Sequence, residues 1–499
     1  EGDLKRRRPA MLSWSRAPEG VLPGHKMGAN GKDPEAIVIG SGPNGLSAAI
    51  TIAQAGHSVV VYEAEKTIGG GARSAELTLP GFVHDLCSCV HPWAAGSPFF
   101  QQLELEKLGV RWIHPEIAMA HPFDDGSAAA VSNPFDRNAV DFGADANAIR
   151  KLLGPPVESW KEISGDLLGP PRFPRHPVAM ARFGWNAIRP AAKIAGRFAT
   201  REARAVLAGM AAHSALPLDW RATAGFGLVL WATCYSIGWP FAAGGSQAIA
   251  DALAKRLKSL GGEIITGARI ENLRHLPRSK AILCDITPRQ LLTIAGDNVA
   301  ASERRRLEGY RYGPGSFKID WALDAPIPWK SEICRRAGTV HIGGTFEEIA
   351  DSESGAFQGR HAEHPFVLLA QPSLFDPGRA PVGKHTAWGY CHVPNGSSFD
   401  MRDRIESQIE LFAPGFRERI LARSIMFPRD LEAHNANLVG GDISGGSVEL
   451  SQLFFRPTPR LYSTTIRNLF LCSSSTPPGP GVHGMCGHRA AQVALKKCF

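Results

Sequence analysis

The 499 residues are 44% hydrophobic and 20% charged, which suits a folded chain of two or three domains, and no run of about 18 apolar residues predicts a membrane-spanning helix. The net charge of +8 does not predict a nucleic-acid binder: residues 1–34 hold seven Lys or Arg against four acids, so only +5 is spread over the remaining 465 residues. Nine cysteines, an odd number without a C-x-x-C pair or zinc-ligand spacing, predict reduced thiols in a cytoplasmic compartment.

The basic leader, residues 1–34, contains Pro and Gly without periodicity and is expected to be disordered, with Met27 as an internal start candidate. Ala36–Ile39 then has strand length and β-branched content and stops at Gly40. The loop GSGPNG follows (Gly40, Ser41, Gly42, Pro43, Asn44, Gly45), leading into a helical pattern through Leu46, Ile50 and Ala53 that ends at Gly56. A second strand, Val59–Tyr62, runs into Glu63 and Ala64. This is a complete dinucleotide unit: Gly40 permits the tight turn, Gly42 makes room for a pyrophosphate, and Gly45 lets helix and strand pack closely. The phosphates meet the helix N-terminus, and Glu63 accepts the ribose hydroxyls, which favours FAD or NAD over NADP. The next glycines, Gly69, Gly70 and Gly71, with the guanidinium of Arg73, add a second phosphate platform and favour FAD. No second G-x-G-x-x-G unit is read, so no NAD(P) domain is expected.

Residues 82–142 read as short strands and turns, with HPWAAGSPFF as an apolar wall. Two Pro-rich stretches, 153–156 and 168–177, are predicted linkers into a helical insertion. There Arg189, Lys193, Arg197, Arg201 and Arg204 predict a basic amphipathic helix over 182–204, either a solvated face or a peripheral contact with an anionic membrane. Residues 222–239, nearly uncharged and aromatic, are core or cavity lining. A helix from Ser246 leads into strands at 263–266 and 268–273, followed by a strand and helix over Ala281–Leu292. Ser316–Trp329 is a strand carrying Lys318, which simple alternation would turn to solvent. Residues 339–448 read as β-rich, with one helix at Met401–Phe412 and a second short helical segment to Ser424. The scattered histidines lack metal-ligand spacing, and no G-x-S-x-G elbow supports hydrolysis. The glycine loop 440–446 is read as a turn near the cofactor. At the C-terminal end come a buried strand, a small, Pro-rich crossing with Ser474, and a helix opening at Gly484 and Met485.

The fingerprint, Glu63, the GG-x-R extension and the segment GPGVHGMCGHRAAQVAL resemble the flavin-containing amine oxidase and phytoene desaturase superfamily, over nearly the whole chain from Glu35. The resemblance implies an α/β, glutathione reductase-like FAD-binding domain built from 35–100, 240–310 and 455–499. It would be interleaved with a mixed α+β substrate domain of 101–239 and 311–454, whose helical insertion spans about 150–239. It also implies that Ile270 lies at the adenine edge and that the helix start at Gly484 and Met485 stabilises the reduced flavin. The nearest branch, phytoene dehydrogenase-like, implies oxidation of an apolar, isoprenoid- or carotenoid-like substrate, with O₂ or a quinone as acceptor. In the amine oxidases a lysine set like Lys318 holds a water at flavin N5, which makes an amine oxidase the alternative reading. A non-catalytic binding protein on the same fold is a further alternative.

Overall fold

Five short parallel strands form the layer that positions everything else, in the order Leu469–Leu471, Ala281–Cys284, Ala36–Ile39, Val59–Tyr62, Glu263–Ile265. The computed structural model describes residues 33–132 and 142–499, so the leader up to residue 32 lies outside the described residues. The first four of these strands are buried at every position. They are continuous apolar runs because both sheet faces are covered. Val38, Val61 and Leu283 pack beneath the helices Pro43–Gln54, Gln247–Ser259 and Met485–Cys498, while Ile37, Val60 and Ile282 face Leu291 and Ile294 of Pro288–Ala295. From the central strand Ala36–Ile39 the chain crosses first to Val59–Tyr62 and later pairs on the other side with Ala281–Cys284. That reversal opens a crevice at the strands' carboxyl ends.

The second layer is a seven-stranded sheet with Gly315–Leu323 between Ile420–Met426 and His385–Val393, followed by Val367–Ala370, Ala337–Ile342, Ile117–Pro122 and Ala128–Ser132. Gly315–Leu323 is buried along all nine residues. The layers are fastened by the buried pair Asp85 and Arg379, whose charged atoms lie 2.6 Å apart. Helices between Ala146 and Ser236 close one end, the last being Thr223–Ser236, buried along most of its length.

Several expectations are corrected. The predicted linker 153–156 lies inside the helix Ala146–Glu158, where burial of Ile149, Leu153 and Pro156 offsets the backbone bonds lost at Pro155 and Pro156. The basic helix over 182–204 is three helices, Pro177–Ala187, Ala191–Ala195 and Arg201–Ala212. Pro190 ends the first run, and Thr200, whose Oγ accepts the Ala203 N–H, caps a new one. Residues 268–273 form no strand; beyond Glu263–Ile265 the chain is irregular up to the turn Leu273–His275. The segment to Ser424 is a turn, Arg417–Arg419, and then the edge strand Ile420–Met426. Within the β-rich region stands an unexpected helix, Phe346–Phe357, started by a capping box between Thr345 and Glu348.

The two chain-end helices touch backbone to backbone. A Cβ added at Gly487 would lie 1.7 Å from the Asn44 carbonyl oxygen. Gly487→Ala is therefore expected to destabilise by about 1–3 kcal/mol through overpacking, seen as a lower denaturation midpoint. Gly165→Ala, whose added Cβ meets open space inside the helix Trp160–Leu167, is expected to be neutral or stabilising by up to about 1 kcal/mol in the same measurement.

Candidate active site

Gly40, Glu63 and Asp285 each follow one of three adjacent parallel strands, so they meet at one edge of the crevice. Gly40 adopts φ +96°, a conformation glycine takes without strain. A Cβ at Gly42 would stand 2.7 Å from an Asp285 carboxylate oxygen, and one at Gly70 would stand 3.0 Å from the Gly42 Cα. The two glycine turns thus face each other with no room for side chains. Glu63 is buried and already oriented: Oε2 accepts the Ser41 N–H at 2.8 Å and hydroxyl at 2.6 Å, and Oε1 accepts the Glu65 N–H at 2.9 Å. Arg73 is also buried, and its guanidinium donates only to backbone carbonyls, Gly70 at 2.9 Å and His434 at 2.8 Å. It forms no ion pair among the described residues.

Asp285 escaped the sequence reading, although an acid directly after a buried strand was a usable signal. Its carboxylate accepts the Gly45 N–H at 2.9 Å, at the start of the fingerprint helix. Burial pushes the carboxyl up to about 7, helped by the charge of Glu63 and opposed by the Gly45 hydrogen bond.

A cavity of about 1080 Å³ runs from this edge into the helical end of the molecule. Gly40, Gly42, Pro43, Asn44, Glu63 and Ala64 line its first part, with Gly70, Gly71, Arg73 and Ile270. Ser474 and Lys318 line its middle, as do Ile443 and Ser444 of the glycine loop. Ser41 and Gly45 sit behind the wall, where they hold Glu63 and Asp285. Gly484 and Met485 do not line the cavity; the preceding residues Pro480 to His483 do. The expected free N–H at that helix start is taken, because Met485 donates to the Nδ1 of His483 at 3.0 Å. The G-x-G-x-x-G spacing does recur, at Gly479, Gly481 and Gly484, contrary to the sequence reading. It opens the C-terminal helix of this same site rather than a second nucleotide domain. Cys87 and Cys89 lie on a loop, not a strand, and both line the cavity.

Lys318 does not turn to solvent: it is 3% exposed and ion-paired with Asp320, which is fully buried two residues on along the same strand face. His84 stands behind, with Nδ1 3.7 Å from Asp320 and its other ring nitrogen bonded to Thr78. Burial and the Lys318 charge push His84 down to about 3, so it is neutral, while burial raises Asp320 to about 6 against the pull of Lys318. Trp388 and Tyr390 line the cavity nearby, their ring centroids 5.3 Å apart.

A parallel sheet with a glycine-lined crevice, joined to a large antiparallel-rich sheet, defines a two-layer nucleotide-dependent oxidoreductase. The chain belongs to the flavin containing amine oxidoreductase family, whose model matches residues 44–302. It is 25% identical over 576 aligned positions to the mouse "Pyridine nucleotide-disulfide oxidoreductase domain-containing protein 2", covering 97% of this chain and 96% of that one. It is also 25% identical to the phytoene dehydrogenase of Streptomyces griseus, covering 89% and 92% of the two chains. Among solved structures, an oxidoreductase from Methanosarcina mazei superposes with a TM-score of 0.63 at 15% identity, covering 93% of this chain and all of that one. Putrescine oxidase bound to putrescine gives 0.58 at 14%, covering 93% and 99%. The cofactor is FAD, and the residues present fit it: abutting glycine turns that a Cβ would fill, a strand-end carboxylate, and a buried guanidinium without a carboxylate partner.

Asp285 makes this fit pH-dependent. A neutral carboxyl opposes the flavin nucleotide's pyrophosphate less than a charged one, so FAD affinity is expected to fall as pH rises through about 7, by up to about tenfold per unit. Fluorescence titration of FAD from pH 6 to pH 8.5 checks this, and Asp285→Asn is expected to flatten the profile.

Proposed function

We propose that this FAD-dependent oxidoreductase oxidises an apolar, isoprenoid- or carotenoid-like substrate by hydride transfer to flavin N5, with O₂ or a quinone as the final acceptor. One observation carries the reading: the flavin end and an apolar limb are parts of a single cavity, the limb walled by Trp93, Phe183, Phe226, Val229, Leu230 and Trp239. When bound, FAD supplies a two-electron acceptor. The chain's own residues supply the rest. The limb's apolar walls exclude water and hold an extended hydrocarbon by its shape. Asp320 holds the Lys318 ammonium at the cavity wall, and the pair takes up or gives one proton at Lys318 Nζ.

A second reading, oxidation of an amine, is favoured by the paired rings of Trp388 and Tyr390 beside Lys318, whose Nζ is 5.9 Å from the Trp388 ring. Anaerobic mixing with panels of polyenes and amines separates the two. Bleaching of the flavin by a polyene and by no amine supports the first reading; the reverse pattern establishes the second.

The Lys318–Asp320 pair gives a further expectation. Lys318→Met is expected to slow flavin reduction by about 10²-fold or more while leaving FAD bound. Because Asp320 is raised to about 6, its charged form is lost as pH falls through that value. Reduction is therefore expected to slow below about pH 6, and in Asp320→Asn that limb of the pH profile is expected to vanish.

A further inference from the structure

The helix Pro177–Ala187 is apolar on both sides. Met180, Phe183, Gly184 and Ala187, spaced three and four apart, line the cavity's apolar limb. On the outside, Val178 and Trp185 are 65% and 69% exposed, with Phe173 just before the helix at 83%; Ile188 just after it is 45% exposed and also lines the cavity, at its rim. One helix, about 10 Å across, therefore separates the limb from an open apolar surface. Scattered exposed apolar residues need no explanation, but four on one short segment do.

The segment's own charge is one-sided, with Asp166 and Glu162 of the neighbouring helix Trp160–Leu167 at its edge beside Arg172 and His176. From Leu167 to Thr200 the chain has six Lys or Arg and no acid. Arg172 pairs with Asp166 at 3.1 Å; the other five, Arg175, Arg182, Arg189, Lys193 and Arg197, form no ion pair among the described residues. The Arg189 guanidinium lies over Trp185, 4.8 Å from the ring centroid, so its stem shares the apolar face while its head stays wet. Aromatic and aliphatic side chains ringed by unpaired cations suit an anionic bilayer surface, where apolar groups enter the interface and basic groups meet lipid phosphates. A second copy of this chain would present the same positive face and be repelled.

We propose that the face formed by Phe173, Val178, Trp185 and Ile188 with their flanking basic residues docks on an anionic membrane surface, and that apolar substrate passes from the bilayer into the limb behind the helix Pro177–Ala187. The second clause rests on the apolar-substrate reading; the docking does not. This replaces the single basic helix expected over 182–204: the charges are spread over separate helices and the turns between them, and of the apolar anchors Val178 and Trp185 belong to the first helix.

The test is co-sedimentation of the full FAD-loaded chain with phosphatidylcholine vesicles, with and without phosphatidylglycerol, across a salt series and without substrate. Binding is expected only to phosphatidylglycerol vesicles and is expected to weaken with salt. Val178→Glu with Trp185→Glu is expected to abolish it, and Arg175→Gln with Arg182→Gln to weaken it roughly twenty-five-fold, at about fivefold per charge. None of these four residues lines the main cavity, so the bound-flavin spectrum is expected to be unchanged and reports intact folding. Failure of the wild-type chain to bind anionic vesicles at low salt, equal binding by the variants, or self-association lost in Trp185→Glu without vesicle binding would each overturn the docking while leaving the substrate reading intact. Vesicle binding without flavin bleaching by any polyene would instead overturn the substrate reading and leave the docking face standing.

Discussion

Everything in this molecule depends on how closely two helices from opposite ends of the chain approach one another. Pro43–Gln54 and Met485–Cys498 meet where a Cβ on Gly487 would fall 1.7 Å from the Asn44 carbonyl oxygen, and the first helix meets the preceding strand end where a Cβ on Gly45 would fall 2.0 Å from the Gly40 carbonyl oxygen. These glycines are sites of contact rather than of flexibility. The paired strand ends bearing Gly40, Glu63 and Asp285 form one edge, and the crossing before the C-terminal helix, Pro480 to His483, lines the same cavity.

That edge gathers two buried carboxyl groups and one buried guanidinium. Glu63 and Asp285 flank the end of Ala36–Ile39 on either side, and the nearby cation Arg73 is committed only to backbone carbonyls. The Arg73 guanidinium keeps its charge for a diphosphate, which a neutral Asp285 carboxyl opposes less than a charged one. The middle of the cavity repeats the logic with Lys318 and Asp320, a buried pair backed by a neutral His84. Breaking either partner would strand a charge in a low-dielectric wall.

The cofactor end was legible because its signals are local. Strand Ala36–Ile39, the glycine spacing and Glu63 lie within one short stretch, and each needs only its immediate neighbours. Asp285 was not, because its meaning comes from Gly45, 240 residues away in sequence. Lys318 was read two ways because strand alternation cannot say whether both faces of a strand are covered; here the whole of Gly315–Leu323 is buried. The basic helix failed for a different reason. Periodic charge points to one helix, but Pro190 and Thr200 have backbone chemistry that stops one helix and starts another. At the C-terminal end the helix start was placed correctly, but its first N–H is capped by His483, a contact that spacing alone does not reveal.

The central claim is that a flavin site built from the two chain ends and an apolar limb built from the helices between them are one working cavity. The most direct measurement is anaerobic flavin reduction by an apolar substrate in Phe226→Asp, a change confined to the limb's wall. FAD is expected to stay bound at one per chain while the rate of bleaching collapses relative to the unaltered protein. Bleaching at an unchanged rate would contradict the claim, because the limb would then have no part in the reaction.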